Sequence, residues 1–201
     1  SVYLHNEYRG YTQLERLLEV VRGHFPQEVE FISGVENHLQ DERNHYRMFR
    51  MYFESQGRMP FQVGARAGYV DQMVRRVFGR SLDGFDMGQT VAEPHRFFTL
   101  CRLIMVTESR GIRQLDTLLS KTPAGLLVST DARLINIFRV IRRDEPSHSA
   151  PYRRWLASRG HADVTWAERV ADATTHYGLM LFGLPALWLN PFVRRIAEFP
   201  A

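Results

Sequence analysis

The sequence predicts an all-α protein in which four long amphipathic helices form a bundle, with a long middle crossover and an extra helical segment near the C-terminal end. Apolar residues recur at intervals of three and four along four separate segments, which is the period of a helix with one buried face. No segment shows the alternation of apolar and polar residues that a half-buried strand requires. Gly and Pro residues concentrate between the second and third segments, so the long connection belongs there.

The first two segments predict a helical hairpin. The first helix covers about residues 2–22, and its apolar stripe includes Leu4, Tyr11 and Leu14. Gly23 to Pro26 ends this helix, and Pro26 suits the first turn of a second helix that continues to about residue 55. Because the connection is short, we expect the two helices to pack antiparallel.

The second hairpin follows the crossover, which covers residues 56–92 and includes one short predicted helix at 69–78. A third long helix is predicted at about 93–119, closed by Thr122-Pro123-Ala124-Gly125, and a fourth at about 130–158.

The chain is thereby divided into two parts. We expect a four-helix bundle at residues 1–160 and a helical extension, starting with a tail helix near residue 164, at residues 161–201. The extension is expected to pack on the bundle.

The composition is that of an ordinary globular protein. Apolar residues make up 44% of the chain and charged residues 24%, which argues against disorder. The formal net charge of +4 is spread over scattered arginines and does not indicate a nucleic-acid-binding arm. The single cysteine, Cys101, cannot form an internal disulfide and is expected in the core. A chain with one cysteine is not built on disulfides, so we expect a reducing, cytoplasmic setting, and the first residues lack the pattern of a signal peptide.

The strongest signal is a repeated motif. Asp41-Glu42-x-x-His45 returns about a hundred residues later as Asp144-Glu145-x-x-His148. Residues three apart share one face of a helix, so each motif presents a carboxylate and an imidazole to the same point. Such a pair is typical of a metal site.

Glu42, Glu145 and His148 fall inside the apolar stripes of their helices, and so does Glu108 in the third helix. His45 lies nearer the edge of its stripe. Buried carboxylates would repel one another and destabilise the bundle unless a cation compensates them. Carboxylate oxygens combined with imidazole nitrogens suit iron or manganese, and several carboxylates suit a pair of ions. A symmetrical site would need one more glutamate from the first helix.

Three glutamates of the first helix could complete the site. Glu7 lies on the apolar stripe, Glu15 at its flank and Glu19 on the outer face. Counting from the hairpin turn also places Glu7 level with Glu42. Glu7 is therefore favoured, with Glu15 left as the alternative.

The pattern Glu, Glu-x-x-His, Glu, Glu-x-x-His on four successive helices resembles that of the ferritin-like di-iron carboxylate proteins. The resemblance covers about residues 2–158 and is closest to the oxygenase and hydroxylase members. Thr107-Glu108-Ser109-Arg110 is similar to the third-helix ligand region of the bacterial tRNA hydroxylases, and the apolar tail fits the demethoxyubiquinone hydroxylases.

The resemblance implies roles for the motif residues. Glu42 and Glu145 would bridge or chelate two irons, His45 and His148 would each bind one, and Glu7 and Glu108 would be terminal ligands; a manganese–iron pair would use the same ligands. Among these, Glu42, Glu145 and Glu108 are the expected catalytic carboxylates. Asp41 and Asp144 would hydrogen-bond the ligand histidines and orient their rings.

The function implied by the resemblance is activation of dioxygen to oxidise an organic substrate in the apolar interior. Electrons would come from a ferredoxin or reductase, because no flavin or nicotinamide fingerprint is present. A small molecule, a lipid or quinone, and a modified tRNA remain open as substrates. The expected substrate walls are Tyr11, Tyr46, Phe49, Cys101 and Ile104. The alternatives are a rubrerythrin-like peroxidase, a ferroxidase and a non-enzymatic metal-binding bundle.

Two further residues in or near the motifs need a separate interpretation. Pro146 lies inside the second motif, where we expect a kink of the fourth helix, because the apolar period continues across it. His38 shares a face with Glu42, and we expect a core or substrate-side histidine there in preference to a seventh ligand.

The tail is the remaining feature. Residues 177–193 are almost wholly apolar and are followed by Arg194 and Arg195. Gly183 and Pro185 make the run unsuitable as a membrane span. The run is expected to pack across the bundle or in a homodimer interface, with a peripheral membrane contact through residues 177–195 as the alternative.

Overall fold

The computed structural model describes residues 1–57, 60–120 and 131–189. Within these ranges the regular structure is helical and no β-strand occurs, which confirms the all-α prediction. The α-helices of the described ranges are α1 (Val2–His24), α2 (Val29–Ser55), α3 (Tyr69–Phe78), α4 (Met87–Ala92), α5 (Pro94–Leu119), α6 (Ala132–His148), α7 (Ala150–Ala157), α8 (Trp166–Gly178) and α9 (Leu184–Leu189).

The long helices pack as two pairs around one core. Helix α1 lies along α2, and α5 lies along α6, while α2 also contacts α6 and α7. An aromatic cluster fills one end of this core, where the Trp155 ring lies 5.0 Å from Phe31 and 4.8 Å from Phe97. Helices α2 and α7 approach closely, because a Cβ atom added at Gly34 would lie 2.3 Å from Pro151 Cβ.

The first hairpin differs from the prediction at its turn. Pro26 does not lie in the first turn of α2, because that helix begins at Val29. The N–H of Glu28 donates to the carbonyl of Phe25, which closes a separate turn between the two helices. The ends of α1 and α2 otherwise fall within about two residues of those predicted.

The crossover contains the predicted helix α3 and also α4, which the sequence pattern does not reveal. Helix α4 has only six residues and is capped at its N-terminus by Asp86, whose side chain accepts from the Gln89 N–H at 2.8 Å. On α3, the buried Asp71 accepts from Arg9 at 2.7 Å and lies 3.1 Å from His5 Nε2. These contacts hold the crossover against α1.

The predicted fourth helix is two helices, α6 and α7, interrupted at Ser149. Pro146 itself stays inside α6, and Pro151 lies in the first turn of α7. Both prolines lack the N–H that a continuous helix would use, so the helical hydrogen bonding is interrupted at Ser149, whose backbone angles remain helical. The break falls directly after His148. The predicted turn at Thr122-Pro123-Ala124-Gly125 and the predicted start at residue 130 lie outside the described residues.

Helix α8 is fastened to the rest of the protein by buried ion pairs. It starts with a capping box formed by Thr165 and Glu168. Glu168 also accepts from Arg102 of α5 at 2.9 Å. One turn further, Asp172 accepts from Arg110 of α5 and from the Tyr69 hydroxyl of α3. Helix α8 therefore packs against both α3 and α5.

The last described segment exposes apolar side chains. A π-helical turn at Leu179–Gly183 leads into α9, and Leu181, Phe182 and Leu189 are largely exposed. Residues 190–195 of the predicted contact segment lie outside the described residues. Among the helices that the structure describes, none combines the length and the hydropathy required to cross a membrane.

Candidate metal centre

Buried glutamates and histidines from four helices converge between the two helical pairs. Each of these side chains is 12% exposed or less. The contributing residues are Glu7 from α1, Glu42 and His45 from α2, Glu108 from α5, and Glu145 and His148 from α6. The structure thus brings together the four motif residues, Glu108, and Glu7 as the favoured residue of the first helix.

Glu7, Glu42 and His45 form one group that could hold a metal ion. The Nδ1 atom of His45 lies 3.5 Å from Glu7 Oε2 and 3.5 Å from Glu42 Oε1. One oxygen from each glutamate and this nitrogen all lie within 4.8 Å of one another. These three donors are of the types that iron and manganese accept.

A second group consists of Glu42, Glu108, His148 and His38. The Nδ1 atom of His148 lies 3.4 Å from Glu42 Oε1 and 3.5 Å from Glu108 Oε2. Glu42 belongs to both groups, and its Oε1 atom is the oxygen that lies near both His45 and His148. Glu145 lies at the edge, with Oε2 3.8 Å from His148 Nδ1.

Several polar atoms of these groups are buried and have no hydrogen-bond partner among the described residues. They are Glu7 Oε2, His38 Nε2, His45 Nδ1, Glu145 Oε2 and His148 Nδ1. Each unpaired buried group costs about 1–3 kcal/mol. Metal coordination would satisfy these atoms, so the residues present fit a bound metal.

The outer nitrogens of the motif histidines contact the motif aspartates in a crossed arrangement. His45 Nε2 lies 3.4 Å from Asp144 Oδ2, and His148 Nε2 lies 3.3 Å from Asp41 Oδ2. Each aspartate therefore contacts the histidine of the other motif. An Nε2–H that donates to the aspartate leaves the Nδ1 lone pair directed at the carboxylates, where a metal would bind.

We expect Asp144→Asn to weaken metal binding by about 10- to 100-fold, because an amide orients the His45 ring less well and makes it a weaker base. Metal affinity is the quantity to measure. Arg143→Ala is the matched control, since it removes the exposed partner of Asp144 and keeps the carboxylate that lies against His45. Equal metal affinities in the wild type and Asp144→Asn would show that Asp144 does not orient His45 for metal binding.

In the absence of a metal, protons would neutralise part of the negative charge. Burial opposes a charge on His45, but the carboxylates of Glu42 and Glu7 outweigh it and raise the pKa of His45 to about 11. Burial likewise opposes a charge on His148, and Glu108 and Glu145 raise its pKa to about 12. A metal would have to displace these protons.

The glutamates differ in how readily they ionise. Burial and the charge of Glu42 raise the pKa of Glu7 well above its ordinary value, and burial and the charge of Glu108 do the same for Glu145. Burial also opposes ionisation of Glu42, but the surrounding histidines outweigh it and lower its pKa to about 2. Glu42, the residue common to both groups, is therefore held in its ionised form.

The structure separates the two candidates for the ligand from the first helix. Glu7 is buried beside His45, whereas Glu15 is exposed and pairs with Arg43 at the surface. The reason lies in the helix period, since eight residues correspond to slightly more than two turns and rotate Glu15 away from the centre. The geometry favours Glu7.

We expect Glu7→Gln to reduce metal binding strongly, because the amide retains the shape of the side chain but loses the charge that a cation requires. Glu15→Gln is the matched control on the same helix and should bind metal like the wild type. Both variants are compared by metal titration. Loss of binding in Glu15→Gln with normal binding in Glu7→Gln would reverse the assignment.

A cavity of about 140 Å³ opens on the carboxylates. Its apolar walls come from α1, the crossover and α5, and include Leu14, Met73, Phe85, Leu103 and Ile104. Gly10 and Gly111 lie three residues after Glu7 and Glu108, and both line the cavity. A Cβ atom at Gly10 would lie 3.0 Å from Glu42 Oε2, and one at Gly111 would lie 3.4 Å from Glu145 Oε1. These glycines leave room between the cavity and the carboxylates.

Most of the predicted substrate walls are not part of this cavity. Ile104 lines it, but Tyr11, Tyr46, Phe49 and Cys101 do not. These four are packed into the hydrophobic core, where the rings of Tyr11 and Tyr46 lie 5.3 Å apart. Cys101 is fully buried there, as its predicted packing role requires.

His38 is the residue whose position the sequence pattern interprets least well. It is buried as expected, but its Nε2 atom belongs to the second ligand group, 3.4 Å from Glu108 Oε1. Its spacing of four residues before Glu42 is the signal that could have placed it there.

Comparisons of the chain with protein-family models, curated proteins and solved structures find no match.

Proposed function

We propose that this protein is a ferritin-like di-iron oxygenase or hydroxylase, which activates dioxygen to oxidise an organic substrate. The observation that carries this proposal is the mainly apolar cavity that opens directly on the four carboxylates of the candidate centre and on His38. A site for metal alone would not need such a cavity. An oxygenase needs one, because the substrate must lie beside the metals and away from water.

The proposed fold is the ferritin-like four-helix bundle. Helices α1 and α2 form one half, and α5 forms the other with α6 and α7. Each half supplies a glutamate from one helix and a Glu-x-x-His pair from the other. This distribution of ligands is the one that such di-metal bundles use.

Two ions fit the charge of the site better than one. Glu7, Glu42, Glu108 and Glu145 carry four negative charges when all are ionised. Two divalent ions would balance them, and an uncompensated buried charge is costly. Glu7 and His45 would hold one ion, Glu108 and His148 the other, with Glu42 shared and Glu145 completing the set. Iron pairs and manganese–iron pairs both suit these ligands.

The metals would supply the reaction with dioxygen, and electrons would come from an external ferredoxin or reductase. The chain's own residues position the substrate and exclude water. The walls of the cavity are mainly apolar, with amide groups from Asn6, Gln13 and Gln114. The charged Arg110 at the wall is engaged by Asp172. The lining favours an uncharged lipophilic substrate, such as a small molecule, quinone or lipid tail, over the phosphate-rich surface of tRNA.

The test is oxygen consumption coupled to formation of an organic product. The protein is loaded anaerobically with ferrous iron, then supplied with a reductant, dioxygen and a panel of uncharged lipophilic compounds. We expect product with the wild type and little with Ile104→Trp, whose larger ring fills the cavity. Equal metal content in the two proteins shows that the substitution leaves the centre intact.

The other outcomes of this experiment contradict the oxygenase. Rapid oxidation of iron without an organic product would indicate a ferroxidase, and preferential consumption of peroxide would indicate a peroxidase. Bound iron that reacts with neither oxidant would indicate a non-enzymatic metal-binding bundle.

A further inference from the structure

His38 has one nitrogen engaged and one nitrogen free. It lies on α2, one turn before Glu42, and is almost completely buried. Its Nδ1 atom lies 3.1 Å from the hydroxyl of Tyr152, which is also fully buried. Its Nε2 atom has no hydrogen-bond partner among the described residues. A histidine that serves only the core would be expected to have both nitrogens satisfied.

The free nitrogen of His38 is directed at the carboxylates. The distances from Nε2 are 3.4 Å to Glu108 Oε1 and 3.9 Å to Glu42 Oε1. The ring stacks on that of His148, with the centroids 4.3 Å apart and the planes inclined by 24°. The two rings therefore approach the same two carboxylates side by side, and all four ligand atoms lie within 4.8 Å of one another.

Tyr152 can set the proton position that metal binding requires. When His38 Nδ1–H donates to the Tyr152 oxygen, the lone pair of Nε2 is free for a metal. The Tyr152 hydroxyl therefore contacts the outer nitrogen of His38, just as Asp144 and Asp41 contact the outer nitrogens of the two motif histidines. Such an outer contact orients a ligand ring and fixes its tautomer.

We propose that His38 is a metal ligand, and that the ion held by Glu108 and His148 has two imidazole ligands whereas the ion held by Glu7 and His45 has one. This inference rests on the proposed di-metal centre. It makes the two metal positions chemically different. The position with two nitrogens should bind the first ion more tightly, since imidazole is a good ligand for these metals.

The experiment uses the variants His38→Ala and His38→Gln, with the exposed His24→Ala as the matched control. Cobalt(II) titration measures the affinity of each position, and Mössbauer spectra of protein loaded with ⁵⁷Fe(II) distinguish the two iron environments. For the wild type we expect two ions with unequal affinities and two distinct iron signals. In His38→Ala one affinity should fall by about 100-fold or more, only one iron signal should change, and added imidazole should restore both.

The results separate this inference from the proposed function. If His38→Ala binds two ions with the affinities and spectra of the wild type, the di-metal centre stands and His38 is not a ligand. If the wild type binds no transition metal, both proposals fail. If His38→Ala and His38→Gln do not fold, Tyr152→Phe decides, because it keeps the imidazole and removes only the hydroxyl. It should weaken the same ion alone, and unchanged binding of both ions in that variant would overturn the proposal.

Discussion

Replacing Glu42 and Glu145 together with alanine is expected to reduce the metal content from about two ions per chain to none. Glu42 is the residue common to both ligand groups, and Glu145 lies beside His148. Without them, the remaining carboxylates cannot balance two cations, and neither position keeps enough ligands. Metal content after dialysis against free metal is the measurement.

Two controls distinguish loss of the site from loss of the fold. The pair Glu42→Gln and Glu145→Gln preserves side-chain volume and should also lose the metal while remaining helical by circular dichroism. The pair Glu15→Ala and Glu36→Ala removes two exposed carboxylates from the same helical hairpin, and both have surface arginine partners. That pair should bind metal normally. Retention of two ions in the Glu42 and Glu145 variants would contradict the ligand assignment.

Metal binding is expected to release protons and to strengthen steeply as the pH rises through neutrality. His45 and His148 have pKa values of about 11 and 12 without a metal, so both carry a proton at neutral pH. A metal must displace these protons, and each displaced proton changes the apparent affinity about tenfold per pH unit. The two histidine protons alone predict a rise of about 100-fold per pH unit for the pair of ions. Glu7 and Glu145, whose pKa values are also raised, steepen the rise further wherever they are protonated.

Proton release can be measured by calorimetry in buffers with different heats of ionisation. Burial and the charge of His148 lower the pKa of His38 to about 3, so His38 is already neutral. Accordingly, His38→Gln should release as many protons as the wild type when metal is saturating. Metal uptake without proton release, or an affinity independent of pH, would show that metal binding does not remove protons from the motif histidines.

The main helices and the two motifs could be predicted because both depend on local spacing. The helical period places Glu42, Glu108, Glu145 and His148 on buried faces, and the cost of burying charge indicates a cation. The comparison of Glu7 with Glu15 also follows from spacing, since the hairpin turn fixes which residues lie level. These inferences require no knowledge of the rotation of one helical pair relative to the other in the folded protein.

The features that could not be predicted depend on that rotation. The crossing of Asp41 to His148 and of Asp144 to His45 is set by how α2 and α6 face each other. The same holds for the cavity, since an apolar stripe shows that Tyr11 and Phe49 are buried but not which neighbour covers them. Two other features escaped prediction for local reasons. Helix α4 is too short for an apolar period to appear. Pro146 lies inside α6, and the helix is interrupted only after His148, at Ser149.

The most direct test of the account is the number of metal ions in the wild-type protein. Protein purified without added metal, and a sample loaded anaerobically with ferrous iron, are analysed for all transition metals per chain. The account predicts two ions per chain in the loaded sample, bound tightly enough to survive gel filtration. No bound transition metal in either sample would contradict the metal centre and the oxygenase function together.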